Sequence, residues 1–122
     1  MLLLRGCGIN TRERTHLNRA IEISKQSTCR QKHGVVIARG AKVIAIAVNT
    51  DRNNPSHCTN PKREASYHAE INAVKQIKST DFSGVVLYSA RTNNSGEPMN
   101  AKPCSRCQAV IEFLNIKKVV HT

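Results

Sequence analysis

The sequence predicts one α/β domain over residues 1–122, in which a mixed sheet lies between helices in a three-layer α/β/α arrangement. Three observations predict this fold class. The length of 122 residues is that of a single domain. Two β-branched runs separated by a turn signal predict an antiparallel hairpin, and each of the two helical segments that follow leads into a short apolar strand. The second half of the chain is therefore predicted to be a right-handed β-α-β unit with parallel strands.

A first helix is predicted close to the N-terminus, at about residues 11–26. Asn10 followed by Glu13 has the spacing of a capping box, in which each side chain accepts the backbone N–H of the other residue. Leu17 and Ile21 then recur at helical spacing. Together these residues predict one of the helices that cover the sheet.

A hairpin follows this helix. Residues 35–39 and 43–48 are β-branched runs, and the pair Gly40-Ala41 between them suits a two-residue turn that begins with glycine. Residues 49–63 are rich in Asn and Pro and are predicted to be a loop, long enough to suggest a function.

The second half of the chain alternates helices and strands. Residues 65–79 are predicted to form the second helix, and residues 85–88 a strand that is buried on both faces. A polar, turn-rich stretch follows at 93–102. The apolar spacing from Cys107 onwards predicts a third helix, and residues 118–121 a last strand.

Two short motifs lie at the starts of the second and third predicted helices. His68-x-Glu70 is weak evidence alone, because this triplet is frequent by chance. Pro103-Cys104-x-x-Cys107 is stronger, since Cys-x-x-Cys outside a secreted protein points to metal or redox chemistry. Both motifs, in this order and with the proline, match the signature of the zinc deaminases.

The spacing of the motifs suits a catalytic metal. Cys104 and Cys107 are three residues apart, so on a helix they lie on the same side and can reach one ion. Thiolates are favoured at a helix N-terminus, and Pro103 there costs no backbone donor. With His68 as third ligand, the fourth tetrahedral position is open for water. Glu70 is suited to proton transfer beside the metal, with a helix-start carboxylate as the alternative interpretation.

Several segments resemble the cytidine and deoxycytidylate deaminase superfamily, above all its deoxycytidylate branch. Residues 27–37 resemble the family's entry into its first strand, and residues 43–49 its second strand, which ends on a substrate-contacting asparagine. Residues 68–73 are close to the helix motif of the same branch. His68 in place of a first-ligand cysteine also favours the deoxycytidylate, tRNA adenosine and nucleic-acid-editing branches over the free-cytidine deaminases.

The resemblance implies one Zn²⁺ per chain, with three ligands: His68, Cys104 and Cys107. It implies that Glu70 is the proton shuttle, and that three positions contact the substrate: Asn49, the backbone at Ala69, and Pro103. The implied reaction is hydrolytic, converting cytosine to uracil with release of ammonia.

The composition leaves the substrate open. Lys and Arg number 19 against 8 Asp and Glu, a net charge of +11 that favours a phosphate-bearing partner. The motifs favour a cytosine nucleotide such as deoxycytidylate (dCMP). Cytosine in single-stranded DNA or RNA is the first alternative, although the chain has only 2 Tyr, 2 Phe and no Trp for base stacking. tRNA adenosine is the next.

Other classes of protein fit less well. A thiol oxidoreductase would explain Cys104 and Cys107 but not His68-x-Glu70, and a non-catalytic zinc-stabilised nucleic-acid-binding module would not need Glu70. The 5 cysteines are an odd number, and Met1 to Leu4 are too short for a signal peptide, so a cytosolic protein with free or metal-bound thiols is expected. No apolar run approaches the ~20 residues that cross a membrane.

Two features depart from the family pattern. The 32 residues between Glu70 and Pro103 exceed the usual spacing, so residues 91–102 are expected to be an inserted loop near the site. The family's fifth strand is expected to be missing, either because the enzyme is minimal or because the sequence is a shortened form. Val119 and Val120 would then form a sheet edge for a partner subunit, which predicts a homo-oligomer. His57 and Cys58 are expected to be solvated loop residues, with a second metal site or a substrate contact as the alternative.

Overall fold

A mixed sheet with α-helix on both faces forms the centre of the molecule in the computed structural model. The structure describes residues 2–5, 9–27, 32–49, 73–74, 76–77, 84–101, 105–116 and 118–122. Its elements are, in chain order, β1 (Leu2–Arg5), α1 (Thr11–Ser24), β2 (Lys32–Arg39), β3 (Lys42–Val48), β4 (Val85–Thr92), β5 (Pro98–Met99), α2 (Ser105–Phe113) and β6 (Lys118–His121).

The sheet has the order β1-β6-β4-β2-β3, and β5 pairs with β4 beside this path. β2 runs antiparallel to both β3 and β4, whereas β6 runs parallel to β4 and to β1. The predicted fold class is confirmed, because an antiparallel hairpin and a parallel β4-α2-β6 unit share one sheet.

The predicted hairpin closes as expected. Arg39 lies opposite Lys42, and Gly40 takes the first turn position with φ 61°, a conformation that glycine adopts at little cost. The register shifts by one residue between Ile37 and Ala38, which marks a bulge close to the turn.

Alternate residues of the strands face the two helix layers. One apolar cluster contains α1 residues and the residues of β2, β4 and β6 on that face: Leu17, Ala20, Val36, Ala38, Tyr88, Ala90 and Val120. The other apolar cluster lies on the opposite face of the sheet, where strand residues pack with residues of α2 and of the turn after it: Val35, Ile37, Leu87, Ile111, Ile116 and Val119. Each fully buried aliphatic side chain contributes about 1.5–3 kcal/mol, so the sheet is stabilised from both sides.

The second predicted helix, at residues 65–79, lies mostly outside the described residues. Ala73 and Val74 are helical. Ala73 belongs to the cluster under α2, and Val74 and Ile77 pack against it. These few residues agree with a helix on that face.

The edge of β6 is covered by a strand that the sequence did not predict. β1 pairs with β6 in parallel, with Leu3 opposite Val119 and Leu4 opposite Val120. The expectation that these two valines form an open edge is wrong, because both are fully buried and β1 occupies that position in the sheet. No strand follows β6 in the part of the chain that the structure describes.

The expected loop at residues 91–102 is partly a hairpin. Arg91 and Thr92 continue β4, and Pro98 and Met99 pair back on them as β5. The Asn93 side-chain oxygen accepts the backbone N–H groups of Ser95 (2.9 Å) and Glu97 (3.0 Å), which closes the turn. The sequence did not predict this strand pairing within the expected loop, which side-chain bonds at the turn stabilise.

None of the described helices is long and apolar enough to span a membrane.

Helix α1 approaches β2 closely at Gly34. A Cβ atom there would lie 2.5 Å from the Ser24 nitrogen and 2.6 Å from the Ala20 oxygen. Since both are backbone atoms, only a shift of the helix could make room for it.

We expect Gly34→Ala to lower the free energy of unfolding by about 3 kcal/mol, since overpacking forces α1 away from the sheet. Gly84→Ala is the control, because its Cβ would meet nothing within 4 Å and only its φ of 70° is strained. That change should cost about 1 kcal/mol. Urea unfolding of both variants measures the difference, and equal losses would contradict the close approach.

The N-terminus of α1 is joined to β6 by an ion pair. Asn10 and Glu13 form the predicted capping box, with bonds of 2.8 and 3.1 Å. The Glu13 carboxylate also pairs with the Lys118 ammonium, although its side chain is only 9 % exposed. The hydrogen bond from Lys118 holds the pKa of Glu13 below its ordinary value of 4.5.

A lowered carboxyl pKa contributes stability that is present above the unfolded value and lost as the pH falls through the folded one. The stability advantage of wild type over Glu13→Gln should therefore be constant above pH 4.5 and decline below it. Chemical unfolding at a series of pH values measures this. Glu22→Gln is the control, since that side chain is 72 % exposed, and a similar profile for both variants would refute the assignment.

Candidate active site

The candidate site lies at one end of the sheet. β2 is antiparallel to β3 and β4, so its first residues lie beside the last residues of those strands. The parallel strand β6 ends there as well, and the chain after β5 enters α2. In open α/β sheets, ligands bind beyond the carboxyl ends of the strands, which is the end described here.

Asn49, an expected substrate contact, lies at this end directly after β3. Its Oδ1 accepts the backbone N–H of His33 at 3.0 Å and the Ser27 hydroxyl at 2.7 Å. Its own backbone N–H donates to the His33 carbonyl at 3.0 Å. The side chain is half-buried and is oriented by these bonds before any ligand binds.

Cys107, an expected zinc ligand, is the third residue of α2. Its side chain is fully buried. The positive end of the helix dipole favours a negatively charged group in the first turn. A buried sulfur in this position is chemically suited to zinc, which binds thiolate.

The other expected site residues lie outside the described residues: His68, Ala69, Glu70, Pro103 and Cys104, together with His57 and Cys58. Within the described ranges, no three His, Cys, Asp or Glu side chains come together as a metal site. The donors that the sequence offers, two thiolates and one imidazole, fit Zn²⁺.

Positive charge accumulates at the same end of the sheet. Lys32 begins β2, and Arg91 lies opposite His33 near the end of β4. The Lys32 ammonium donates to the Ser27 carbonyl at 2.7 Å. The alternation of the strands places Lys32 on the α1 face and Arg91 on the α2 face, so both faces at this end of the sheet carry positive charge that favours an anionic ligand.

Sequence reasoning missed a polar contact inside the sheet. His33 Nε2 lies 2.6 Å from the Ser89 hydroxyl oxygen, and Ser89 is fully buried in β4. The missed signal was a serine next to the apolar run of 85–88, a polar group that must find a partner once buried.

The chain belongs to the cytidine and deoxycytidylate deaminase family, because the family's sequence model, described as the cytidine and deoxycytidylate deaminase zinc-binding region, matches residues 10–122. The resemblance inferred from the motifs is thus confirmed. No curated protein matches the chain in sequence.

Solved structures agree with this assignment. The dCMP deaminase of cyanophage S-TIM5 in apo form is 26 % identical, with a TM-score of 0.66 over 93 % of this chain and 87 % of that one. The same enzyme in complex with dCMP and dUMP gives a TM-score of 0.67 at 22 % identity, over 93 % and 85 % of the chains. Guanine deaminase from Bacillus subtilis shares the fold at 19 % identity, with a TM-score of 0.62 over 93 % and 64 %. These findings support a hydrolytic deaminase.

We expect Asn49→Ala to lower the free energy of unfolding by about 1–3 kcal/mol. The His33 N–H loses its side-chain acceptor, and the Ser27 hydroxyl keeps only its longer bond to the Asn49 carbonyl, at 3.3 Å. Asn49→Asp keeps an acceptor oxygen and should be close to wild type. Urea unfolding of both variants distinguishes these outcomes. Equal destabilisation would mean that the Asn49 oxygen does not orient the start of β2.

Proposed function

We propose that the chain is a zinc-dependent hydrolytic deaminase that converts the cytosine of a nucleotide, dCMP, to uracil and ammonia. The family match over residues 10–122 carries this proposal. The 26 % identity to a phage dCMP deaminase over 93 % of the chain supports the choice of substrate. That phage enzyme has also been solved in complex with dCMP and dUMP.

In this proposal His68, Cys104 and Cys107 hold one Zn²⁺ per chain. The burial of Cys107 in the first turn of α2 supports its role. When bound, zinc supplies a Lewis-acid centre that makes water nucleophilic at neutral pH.

Glu70 is proposed to move the protons. It accepts one proton from the attacking water and delivers it to the ring nitrogen. It then takes the second proton from the hydroxyl group added to the ring carbon and gives it to the amino group, so that ammonia leaves. Asn49, the backbone at Ala69 and Pro103 are proposed to hold the sugar and the base. The fixed side-chain oxygen of Asn49 supports this role, because a contact that is oriented in advance costs less entropy on binding.

The charge distribution supports a phosphate-bearing substrate. Lys32 and Arg91 lie at the same end of the sheet as Asn49. A mononucleotide needs only one or two such contacts, whereas the net charge of +11 keeps single-stranded nucleic acid as the second candidate substrate.

The cytosolic location, the homo-oligomer and the single domain over residues 1–122 stay predictions.

Glu70→Ala is expected to keep one zinc per chain and a folded structure but to lose ammonia release by a factor of at least about 100, because the proton transfers lose their carrier. Zinc content by elemental analysis and ammonia release from dCMP measure this. Glu97→Ala, at the exposed tip of the β4–β5 hairpin, should keep full activity.

Cys107→Ser should lose the metal, and an active zinc-free protein would refute the mechanism.

A substrate panel should show turnover of dCMP in preference to cytidine, single-stranded DNA cytosine and tRNA adenosine. The two polymers are assayed at two salt concentrations. Binding of a polymer through many phosphates weakens steeply with salt, whereas a single phosphate contact weakens little. Turnover confined to the polymers, with a steep loss in high salt, would replace the nucleotide with a nucleic-acid substrate.

A further inference from the structure

A chain of hydrogen bonds runs from β2 across β4 to the segment after β5, and it is fully buried at Ser89 and Ala101. His33 Nε2 lies 2.6 Å from the Ser89 hydroxyl oxygen, and that hydroxyl donates to the Ala101 carbonyl at 3.0 Å. A serine hydroxyl has one proton, so the Ser89 oxygen must accept a hydrogen from His33 Nε2. Ser89 and Ala101 are both fully buried, which makes each of these bonds costly to lose.

Thr122 holds the same segment from its other side. Its backbone N–H donates to the Ser89 carbonyl at 3.1 Å, and its carbonyl accepts the Ala101 N–H at 2.9 Å. Its hydroxyl accepts the Arg91 N–H at 3.2 Å and donates to the Met99 carbonyl at 2.5 Å. The segment 99–101 is therefore fixed to β4 by both backbone and side-chain bonds.

Ala101 lies close in sequence to both expected cysteine ligands. Only residues 102–104 separate Ala101 from the first residue of α2. Cys104 belongs to this interval, and Cys107 lies in the first turn of the helix that follows.

His33 also contacts the other side of the site. Its backbone N–H donates to Asn49 Oδ1 at 3.0 Å, while its ring bonds Ser89. The side chains of His33 and Ser89 lie on the sheet face that α2 covers. Two residues further along their strands, Val35 and Leu87 point to the same face and belong to one apolar cluster with Ile111 of α2. One residue thus joins the expected substrate contact to the segment that leads to the expected metal ligands.

We propose that His33 and Ser89 are positioning residues, which set the zinc-binding cysteine segment through Ala101 and couple it to Asn49. The proposal rests on the proposed function. It differs from a purely structural role because it predicts a change in metal affinity that loss of stability alone does not produce. Partners that orient metal ligands typically change affinity by about 10–100-fold when they are removed.

The experiment compares two buried serines, each changed to alanine in the full chain. Ser89→Ala removes the hydroxyl that bonds Ala101. Ser24→Ala is the matched control, because Ser24 is equally buried and bonds Ile21 (2.6 Å) and Thr92 (3.0 Å) on the opposite face. Zinc affinity is measured by competition with a chromophoric chelator, and urea unfolding gives the stability of each variant.

Ser89→Ala should weaken zinc binding by at least about 10-fold, and Ser24→Ala should leave it within about twofold at a comparable loss of stability. Visible absorption of the Co²⁺-substituted proteins should change in the first variant only. Wild-type affinity in Ser89→Ala, or equal losses in both variants, would overturn the proposal while leaving the proposed function intact. A wild-type chain that binds no zinc would overturn both.

His33 is tested by rescue. Gln keeps an N–H donor near the position of Nε2, whereas Leu does not. His33→Gln should retain zinc affinity within about threefold, and His33→Leu should lose about as much as Ser89→Ala. Nitrogen-15 NMR of the wild type should show the His33 ring protonated on Nε2. Protonation on Nδ1 alone, or equal effects of Gln and Leu, would refute the part assigned to His33.

Discussion

The antiparallel pairing of β2 with β4 is the constraint on which the rest of the structure depends. Their register runs from Lys32 opposite Thr92 to Arg39 opposite Val85. It determines which residues of both strands face α1 and which face α2, and a slip of one residue would exchange the two faces. The same register brings the start of β2 beside the end of β4, where the candidate site lies.

The elements with local signals could be predicted from the sequence. The capping box of α1, the Gly40 turn and the strand at Lys118–His121 all depend on neighbouring residues, and the structure has them where the patterns indicate. β1 could not be predicted in this way, because four residues are too few to show a strand pattern of their own. They form a strand only by pairing with β6, which lies far along the chain. The end of β4 and β5 were missed for a similar reason, since polar residues there are ordered by pairing and not by propensity.

The residues of the candidate site show the same difference between local signals and long-range contacts. Cys107 was predicted from the Cys-x-x-Cys spacing and Asn49 from the resemblance to the family, and both assignments stay predictions. The bond from His33 to Ser89 was missed, because diagonal neighbours on adjacent strands are defined only by register. The bond from Ser89 to Ala101 was missed because only the fold brings the segment after β5 beside β4. Ser89 could have been flagged as a polar group in a buried strand, but nothing in the sequence names its partners.

The parallel pairing of β1 with β6 has a consequence for how the chain folds. Leu2 and Leu3 find their partners at Lys118 and Val119, so nearly the whole sequence separates the two strands. Contacts of such large sequence separation carry a high entropic cost of loop closure and slow folding. During synthesis the first strand cannot enter the sheet until the last one has been made. The residues of β1 are therefore protected from solvent and proteases only after β6 is in place.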